Sequence, residues 1–428
     1  MKAGSGTRIL VQRCDNGVRL VTATMPERAS VTIVFMFGVG SRFERPELSG
    51  ASHFVEHLLF KGTQRRPSAK EISSTVEGVG GMINASTDKE VTSYWAKVPA
   101  DKVGLAVDLL SDIVRYSRLD SADVDRERQV IIEEIRMYQD IPQDYVHSLY
   151  EMLIWPDHPL GRDIAGSPES LAGQGRSELV DYIANYYSCD DLVVAMAGAI
   201  EPQQAREMVE AHLREGLARG AVAAPEIAPP VPAVPSVRVH TKPTEQAHIC
   251  LGARSISYLD EDRYAVDLIS AALGEGMSSR LFLEVREERG LAYDVHSWVT
   301  THSDSGTFGV YAGVETAKAK EAVKAIVGEL RRVCRGELTG SELNRAKEYS
   351  KGRLLLGLES TNAMASWLGH QELLLGRIRT VEEIVARLEA IDLGDIERVA
   401  NRVLGEPLQL AAVGPFSADE GFLDLISA

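Results

Sequence analysis

The sequence predicts an α+β protein made of two similar halves, each combining a largely antiparallel sheet with several helices. Three observations lead to this fold class. Short alternating apolar runs lie among longer segments of helical spacing, a proline-rich stretch divides the chain near its middle, and short sequence matches recur across that stretch. The length of 428 residues also exceeds what one small hydrophobic core needs.

The proline-rich stretch reads AVAAPEIAPPVPAVP at 221–235 and contains five of the chain's 17 prolines. Helix interiors and central strands exclude proline, so this composition predicts an extended, semi-rigid linker. We therefore place an N-terminal half at 1–218, the linker at 219–236 and a C-terminal half at 237–428.

The two halves carry matching landmarks in the same order. Gly38 and Gly62 are 24 residues apart, as are Gly252 and Gly276, and RLDSADVDRERQ aligns with ELTGSELNRAKE later in each half. The offset between matched positions drifts only from 214 to 219 residues. An internal repeat of this kind predicts two copies of one αβ unit.

Alternation and helical spacing predict the individual elements. The predicted strands lie at 18–23, 31–38, 91–98, 191–198, 248–253, 307–314 and 408–413. The predicted helices lie at 49–61, 69–79, 101–117, 121–138, 176–186, 202–215, 262–274, 278–288, 317–335, 340–357, 361–375 and 381–403. Ser121 is the expected N-cap of the 121–138 helix.

Composition excludes several classes of protein. The chain has 46 Lys and Arg against 62 Asp and Glu, a formal charge of −16, whereas non-specific binding to nucleic acid or anionic membrane needs a cationic surface. The sequence shows no secretory or transit segment and no apolar run long enough to span a membrane. The cysteines are scattered without a CxxC pair, which predicts free thiols and a cytoplasmic location.

The strongest chemical signal is His53-Phe54-Val55-Glu56-His57. On a helix, residues i and i+4 share a face, so both imidazoles can reach one metal ion while Glu56 faces a metal-bound water. A zinc hydrolase needs two neutral histidines, a third ligand, an open position and a base. HxxEH is the inverted form of the HExxH zinc motif. Two ordinary helix histidines are the alternative.

The 121–138 helix is expected to supply the third ligand from among Glu127, Glu133 and Glu134. Glu127 and Glu134 share the apolar face of this helix, whereas Glu133 points about 100° away from Glu134. Carboxylates within a core-facing stripe are costly unless a positive charge meets them, as a zinc ion would. A solvated glutamate face is the alternative, and it suits Glu133 better than Glu134.

The second half is expected to keep the frame of the unit without its metal site. At the repeat offset, the positions corresponding to the HxxEH residues and to the two glutamates hold Asp267, Ser270, Ala271, Ala346 and Arg353. This half would then shape a chamber or hold substrate.

These features resemble the M16 (pitrilysin/insulinase) metallopeptidases, most closely the branch of mitochondrial processing peptidase and its bacterial homologues. HFVEH is followed, 77 residues after its second histidine, by Glu134 within ERQVIIEEIRMY. Similar stretches run over the whole chain: SGASHFVEHLLFKGT, GGMINASTDKEVTSYWAKV, DHPLGRDIAGSPESL, GEGMSSRLFLEVREERGLAYDVHSW and LLLGLEST. The resemblance implies a LuxS/metallohydrolase-like fold.

The resemblance also implies the roles of individual residues. His53, His57 and Glu134 match the ligands of one Zn²⁺ per chain, and Glu56 matches the general base that takes a proton from the attacking water and returns one to the leaving amine. Glu127 matches an acidic residue near the metal that would orient a ligand histidine.

Substrate-binding residues are implied in both halves. Asn84 and Ala85 match an edge-strand segment that binds extended peptide backbone. Arg286 and Tyr293 match a pair that binds substrate and stabilises the oxyanion. Without the resemblance, Arg286 reads as a surface salt bridge in the run LEVREERG, and Tyr293 as a packing residue.

Substrate preference follows less directly from the sequence. The acidic net charge favours basic peptides. Asp140 and Asp144 lie where arginine-preferring relatives carry acidic residues, although Ser148 occupies a later acidic position of those relatives, so strict arginine selection is not expected. The alternative assigns both aspartates to a solvated IPQD turn.

The predicted function is a zinc-dependent endopeptidase that cleaves extended or presequence-like peptides inside a closed chamber. The resemblance implies a dimer, and a homodimer suffices because one chain carries both the zinc motif and the Arg286/Tyr293 pair. A heterodimer with a metal-less paralogue is the alternative partnership. The competing functions are a non-catalytic scaffold of the same fold and a zinc hydrolase acting on a small molecule.

Overall fold

Both strands and helices occur along the part of the chain that this computed structural model describes, residues 2–3, 7–214, 217, 219–417 and 420–427. The strands are β1 (Lys2–Ala3), β2 (Thr7–Arg13), β3 (Arg19–Thr24), β4 (Ser30–Phe37), β5 (Met82–Thr87), β6 (Thr92–Pro99), β7 (Leu192–Gly198), β8 (Ser236–Thr241), β9 (Gln246–Ser255), β10 (Ala292–Thr301), β11 (Gly306–Glu315) and β12 (Gln409–Gly414). The α-helices are α1 (Ala51–Leu59), α2 (Ala69–Glu77), α3 (Val103–Tyr116), α4 (Ser121–Asp140), α5 (Pro142–Ile154), α6 (Pro168–Ala172), α7 (Arg176–Tyr186), α8 (Pro202–His212), α9 (Arg263–Gly274), α10 (Ala319–Cys334), α11 (Gly340–Gly357), α12 (Thr361–Leu375), α13 (Val381–Ala390), α14 (Leu393–Leu404) and α15 (Phe422–Ser427).

The chain forms two units with separate cores. Unit 1 comprises Met1–Ile135, Asp163–Glu226 and Leu355–Glu382. Unit 2 comprises Arg136–Arg162, Ile227–Leu354 and Glu383–Ala428.

The sheets of the two units share one strand order. Over the described residues, unit 1 has the order β1-β2-β3-β7-β4-β6-β5 and unit 2 the order β8-β12-β9-β11-β10. Five strands are common to both sheets, and they begin along the chain at β3 in unit 1 and at β8 in unit 2. When these five are numbered in chain order, their order across the sheet is first, fifth, second, fourth, third in both units. In both, the first and fifth strands pair in parallel and the other pairs are antiparallel. This shared topology confirms the predicted α+β fold with two similar halves.

The central strands carry uninterrupted runs of apolar residues, because both faces of each sheet are covered. In β4, Val31, Ile33 and Phe35 join one buried cluster, while Val34 and Met36 join a second on the opposite face. Helix α12 packs on this second face, against β3, β4 and β7. In unit 2, α5 packs in the same way against β8, β9 and β12.

These two helices change the predicted boundaries. Helix α5 lies within the predicted N-terminal half but belongs to unit 2, and α12 lies within the C-terminal half but belongs to unit 1. One of the crossings between the units, at Glu226–Ile227, falls within the predicted linker, while the predicted boundary residue 218 lies outside the described residues. An apolar helix packs on the sheet face that needs covering, whichever half supplies it.

Three local expectations differ from the structure. The predicted helix at 381–403 is two helices, because Asp392 accepts a hydrogen bond from the Asp395 backbone N–H and caps α14. The segment Phe282–Glu288 within the predicted 278–288 helix is π-helical. The IPQD stretch is the first turn of α5, with Pro142 at its start. Within the described residues, no helix combines the length and apolarity needed to cross a bilayer.

Candidate metal centre

The start of α1 is held by a buried carboxylate. The backbone N–H groups of Gly50 and Ser52 donate to the two oxygens of Glu44, at 2.8 and 2.7 Å. An anion here satisfies amides that have no partner within the helix and complements the helix dipole. Gly50 has a φ of +94°, and a Cβ at this position would lie 2.6 Å from the Ala165 carbonyl oxygen, so only glycine fits.

Helix α1 separates apolar from polar residues. His53, Glu56 and His57 are half-buried on one face, at positions i, i+3 and i+4. The opposite face packs into the core through Ala51, Phe54, Val55 and Leu58. The apolar residues therefore fix the rotation of the helix and present the three polar side chains together.

Helix α4 brings a glutamate to this polar face. Glu134 Oε2 lies 3.8 Å from His53 Nε2 and 3.7 Å from His57 Nε2. Each of the three residues offers one ligand atom, and those atoms all lie within 4.8 Å of one another. The neighbouring Glu133 is exposed and stands outside this group, as its position on the helix predicts.

The donor set fits a zinc ion. Ligands about 2.0–2.1 Å from a tetrahedral zinc stand roughly 3.3 Å apart, somewhat less than the 3.7 and 3.8 Å between Glu134 and the two histidines. Burial and the neighbouring His57 lower the pKa of His53 to about 4, so its imidazole is in the neutral, metal-binding form at pH 7. Across the described residues this is the one group of three or more His, Cys, Asp or Glu placed to share an ion.

A second glutamate of α4 orients one of the histidines. Glu127 Oε2 lies 3.3 Å from His57 Nδ1. A carboxylate only accepts, so His57 donates from Nδ1 and directs its unprotonated Nε2 toward Glu134. The second carboxylate oxygen of Glu127 lies 2.7 Å from Lys61 Nζ. Sequence reasoning expected the position of Glu127 and missed Lys61.

Glu56 lies beside the three ligands and is held by a strand. The Thr87 hydroxyl, at the end of β5, donates to Glu56 Oε2 at 2.5 Å. Burial raises the pKa of Glu56, and the Thr87 hydrogen bond opposes this rise. Thr87 was not expected from the sequence, although it lies three residues after Asn84 in the implied substrate strand.

The implied substrate strand lies at an edge of its sheet. Strand β5 pairs with β6 alone within the described sheet, with Ala85 opposite Tyr94. The Ala85 N–H donates to the Asn84 side-chain oxygen at 2.9 Å. It therefore points to the open side of the strand, where another chain could accept from it.

The implied oxyanion pair lies together in unit 2. The Arg286 guanidinium carbon is 4.8 Å from the Phe282 ring centre and 5.2 Å from the Tyr293 ring centre. Tyr293 is the extra residue of a β-bulge in β10 and is 74% exposed, so it is not a packing residue of the core. Among the ion pairs of the described residues, Arg286 has a single loose one, at 3.8 Å from Glu287.

The two aspartates suggested for basic substrates lie in unit 2. Asp140 ends α4 and lies 3.5 Å from Lys242 Nζ, so a lysine already neutralises part of its charge. Asp144 is exposed in the first turn of α5, where a carboxylate complements the helix dipole. Neither position by itself indicates a binding site for a basic side chain.

Comparisons with known proteins cover nearly the whole chain. Residues 19–167 match the family described as Insulinase (Peptidase family M16), and residues 175–349 match Peptidase M16 inactive domain. A Streptomyces coelicolor protein named as a zinc protease is 39% identical over 404 residues, which cover 93% of this chain and 88% of that protein. A Bacillus subtilis protein, also named as a zinc protease, is 38% identical over 411 residues, which cover 94% and 97%.

Solved structures share the fold. A protease from Helicobacter pylori superposes with a TM-score of 0.89 at 23% identity, over 96% of this chain and all of that one. The relatives' names imply a zinc cofactor, consistent with the donor set of α1 and α4. The placement in the branch of mitochondrial processing peptidase stays a prediction.

Proposed function

The chain belongs to the M16 family of metallopeptidases, and on that premise we propose that it is a zinc-dependent endopeptidase acting on extended peptides. One observation carries this proposal. His53, His57 and Glu134 converge from two helices, while Glu56 stands on the same face of α1, held by the edge strand β5. The site thus combines a metal-binding set, a proton acceptor and a peptide-binding edge in one unit.

The metal and the protein side chains would have different chemical roles. When bound by His53, His57 and Glu134, zinc would supply a water of lowered pKa and polarise the scissile carbonyl. Glu56 would accept the proton of that water at its carboxylate and deliver a proton to the leaving amine. The raised pKa of Glu56 suits this exchange, because its carboxylate holds a proton more readily than an exposed one. Thr87 holds the Glu56 carboxylate in place.

Strand β5 supports peptide as the substrate class. An added strand would pair with its open edge, where the Ala85 N–H now bonds to its neighbour Asn84. Such pairing uses backbone groups and selects extended conformation over particular side chains. In unit 2, Arg286 and Tyr293 present a guanidinium and a phenol that would bind substrate and stabilise an oxyanion.

The assembly is also part of the proposal. Ligands, base and the Arg286/Tyr293 pair occur in a single chain, so a homodimer is sufficient, and we propose that its two chains enclose a chamber. The net charge of −16 supports a preference for basic peptides. Light scattering of the purified protein tests the dimer, since a monomeric mass would contradict it.

A peptide-library digest with and without a chelator tests the activity. We expect cleavage of unfolded peptides, inhibition by the chelator and recovery with Zn²⁺. A protein that binds no zinc and cleaves nothing would be a scaffold of the same fold. One that binds zinc but hydrolyses only small molecules would belong to a different class of hydrolase.

A further inference from the structure

Lys61 stands one turn beyond the second histidine, on the same face of the α1 segment. The spacing of His53, His57 and Lys61 is i, i+4 and i+8, although α1 itself ends at Leu59. The Lys61 N–H continues the turn by donating to the Leu58 carbonyl at 3.0 Å. Lys61 Nζ therefore reaches the side of His57 that faces away from the proposed metal.

Glu127 joins Lys61 to His57. Its side chain is only 5% exposed, and its oxygens are divided between two partners, Lys61 Nζ at 2.7 Å and His57 Nδ1 at 3.3 Å. Among the ion pairs and side-chain hydrogen bonds of the described residues, these two are the ones that the Glu127 carboxylate makes. A buried carboxylate with one partner would be under-satisfied and free to rotate about its last torsion.

We propose that Lys61 is a positioning residue for the metal site, acting through Glu127 on His57. The ammonium holds one oxygen of Glu127, so the other stays in line with His57 Nδ1–H. That hydrogen bond in turn fixes the tautomer of His57 and aims Nε2 at the metal position. The inference rests on the proposed zinc site and adds a charged residue that is not a ligand.

The contrasting interpretation is an ordinary surface ion pair. An exposed pair contributes little, because water screens both charges. The Lys61–Glu127 pair differs because one partner is buried and also bonds to a proposed ligand. Lys102, which pairs with Asp101 at 2.9 Å with both side chains largely exposed, represents the ordinary case within unit 1.

The test is the zinc affinity of metal-free protein, measured by competition with a chromogenic chelator. Removal of an outer partner of a ligand typically weakens metal binding about 10–100-fold. We expect Lys61→Met to weaken zinc binding about tenfold, at the lower end of that range because it acts through one further group. Lys61→Arg should retain most of the affinity, and Lys102→Met should leave it unchanged.

A double-mutant cycle separates positioning from general loss of charge. In the Glu127→Gln background, Lys61→Met should cause little further loss, because the group through which it acts is gone. Thermal unfolding of each variant shows whether it is folded. If Lys61→Met does not fold, Lys61→Gln makes the same comparison.

Two results would overturn the inference: wild-type zinc affinity in Lys61→Met, or the same fold loss with and without Glu127. Absence of zinc binding by the wild-type protein would instead contradict the proposed function. The two failures are therefore distinguishable.

Discussion

At the scale of single residues, the base of the proposed site depends on one neutral hydroxyl. Thr87 donates to Glu56 Oε2 at 2.5 Å from the end of β5. A carboxylate that must accept and return a proton has to stay aimed at the reacting water, and a fixed hydrogen bond limits its rotation.

We predict that Thr87→Val lowers kcat about tenfold, because the loss of one hydrogen bond to a charged group costs about 1.5–3 kcal/mol and part of this appears in the transition state. Zinc content and KM should not change. Thr87→Ser keeps the hydroxyl and is the matched control. Steady-state kinetics with metal analysis checks both variants, and an unchanged kcat in Thr87→Val would remove Thr87 from this role.

The sequence predicted the residues that meet at the proposed metal site better than the residues that hold them in place. Helical spacing placed His53 and His57 on one face of α1, and it placed Glu134 on the apolar face of α4 together with Glu127. The choice of Glu134 as the third ligand came from the family resemblance, and the structure brings it to the two histidines. Thr87 and Lys61 act across elements, and such contacts depend on packing that spacing does not reveal. Lys61 could nevertheless have been noticed in the sequence, because it continues the i, i+4 spacing of His53 and His57.

At the scale of elements, the open edge of β5 is where a peptide would add. The Ala85 N–H points outward and bonds to Asn84 Oδ1. Proline at this position would remove the outward donor without breaking the ladder to β6, because edge strands tolerate proline where the N–H faces outward.

We predict that Ala85→Pro lowers kcat/KM for extended peptides about tenfold, the effect of losing one backbone hydrogen bond. Ala85→Val keeps the N–H and should retain activity. Peptide kinetics and zinc content together check the prediction. Equal kcat/KM in the proline and valine variants would mean that peptides do not pair with this part of β5.

Arg254, a buried arginine of β9, holds the end of α5 and the linker. Arg254 donates from Nε and a terminal nitrogen to the Ile154 carbonyl, at 3.0 and 2.8 Å, and from its other terminal nitrogen to the carbonyls of Pro229 and Pro230. Its guanidinium also stacks on Trp155, 4.0 Å from the ring centre. Arg254 thus joins the end of α5 and the linker to the sheet of unit 2.

We predict that Arg254→Met lowers the free energy of unfolding by about 2–4 kcal/mol, because the buried Ile154 carbonyl and the partly buried carbonyls of the linker lose a charged donor. Arg238→Met, at an exposed position on β8, is the matched control and should have little effect. Denaturant unfolding of both variants measures the difference. Equal stability of the two variants would refute this role for Arg254.

Sequence patterns predicted the strands inside each sheet and missed strands at or next to the sheet edges. Every predicted strand forms within two residues of its predicted ends, because these strands are apolar and buried. The unpredicted strands β1, β2, β5, β8 and β10 lie at or next to sheet edges. Strand β5, MINAST, has polar residues among both its exposed and its half-buried positions, so its apolar alternation is weak.

At the scale of the whole molecule, each half of the sequence supplies a helix to the unit formed mainly by the other. Helix α5 covers the sheet of unit 2, and α12 covers the sheet of unit 1. In α12, a Cβ at Gly369 would lie 2.6 Å from the Met36 sulfur, so this helix packs closely on β4. The internal repeat could be predicted from the sequence, but the exchange of α5 and α12 could not. A proline-rich linker shows where two segments of the chain are joined, but it does not indicate which sheet a helix packs on.

We predict that a single cut within the linker, at an engineered protease site after Ala233, leaves the two fragments associated and folded. Each fragment holds part of both cores, so separation would expose the apolar face beneath α5 or α12. Size-exclusion chromatography and dye binding to exposed apolar surface check this. Clean separation into two soluble, folded fragments would contradict the exchange of helices.

The most direct test of the central claim is a paired measurement of zinc content and peptide hydrolysis in wild type and Glu56→Gln. Glutamine keeps the size of the side chain but cannot accept the proton, while His53, His57 and Glu134 remain. We predict one zinc per chain in both proteins and hydrolysis of unfolded peptide by the wild type alone. Equal hydrolysis by Glu56→Gln, or a wild-type protein that binds no zinc, would contradict the account.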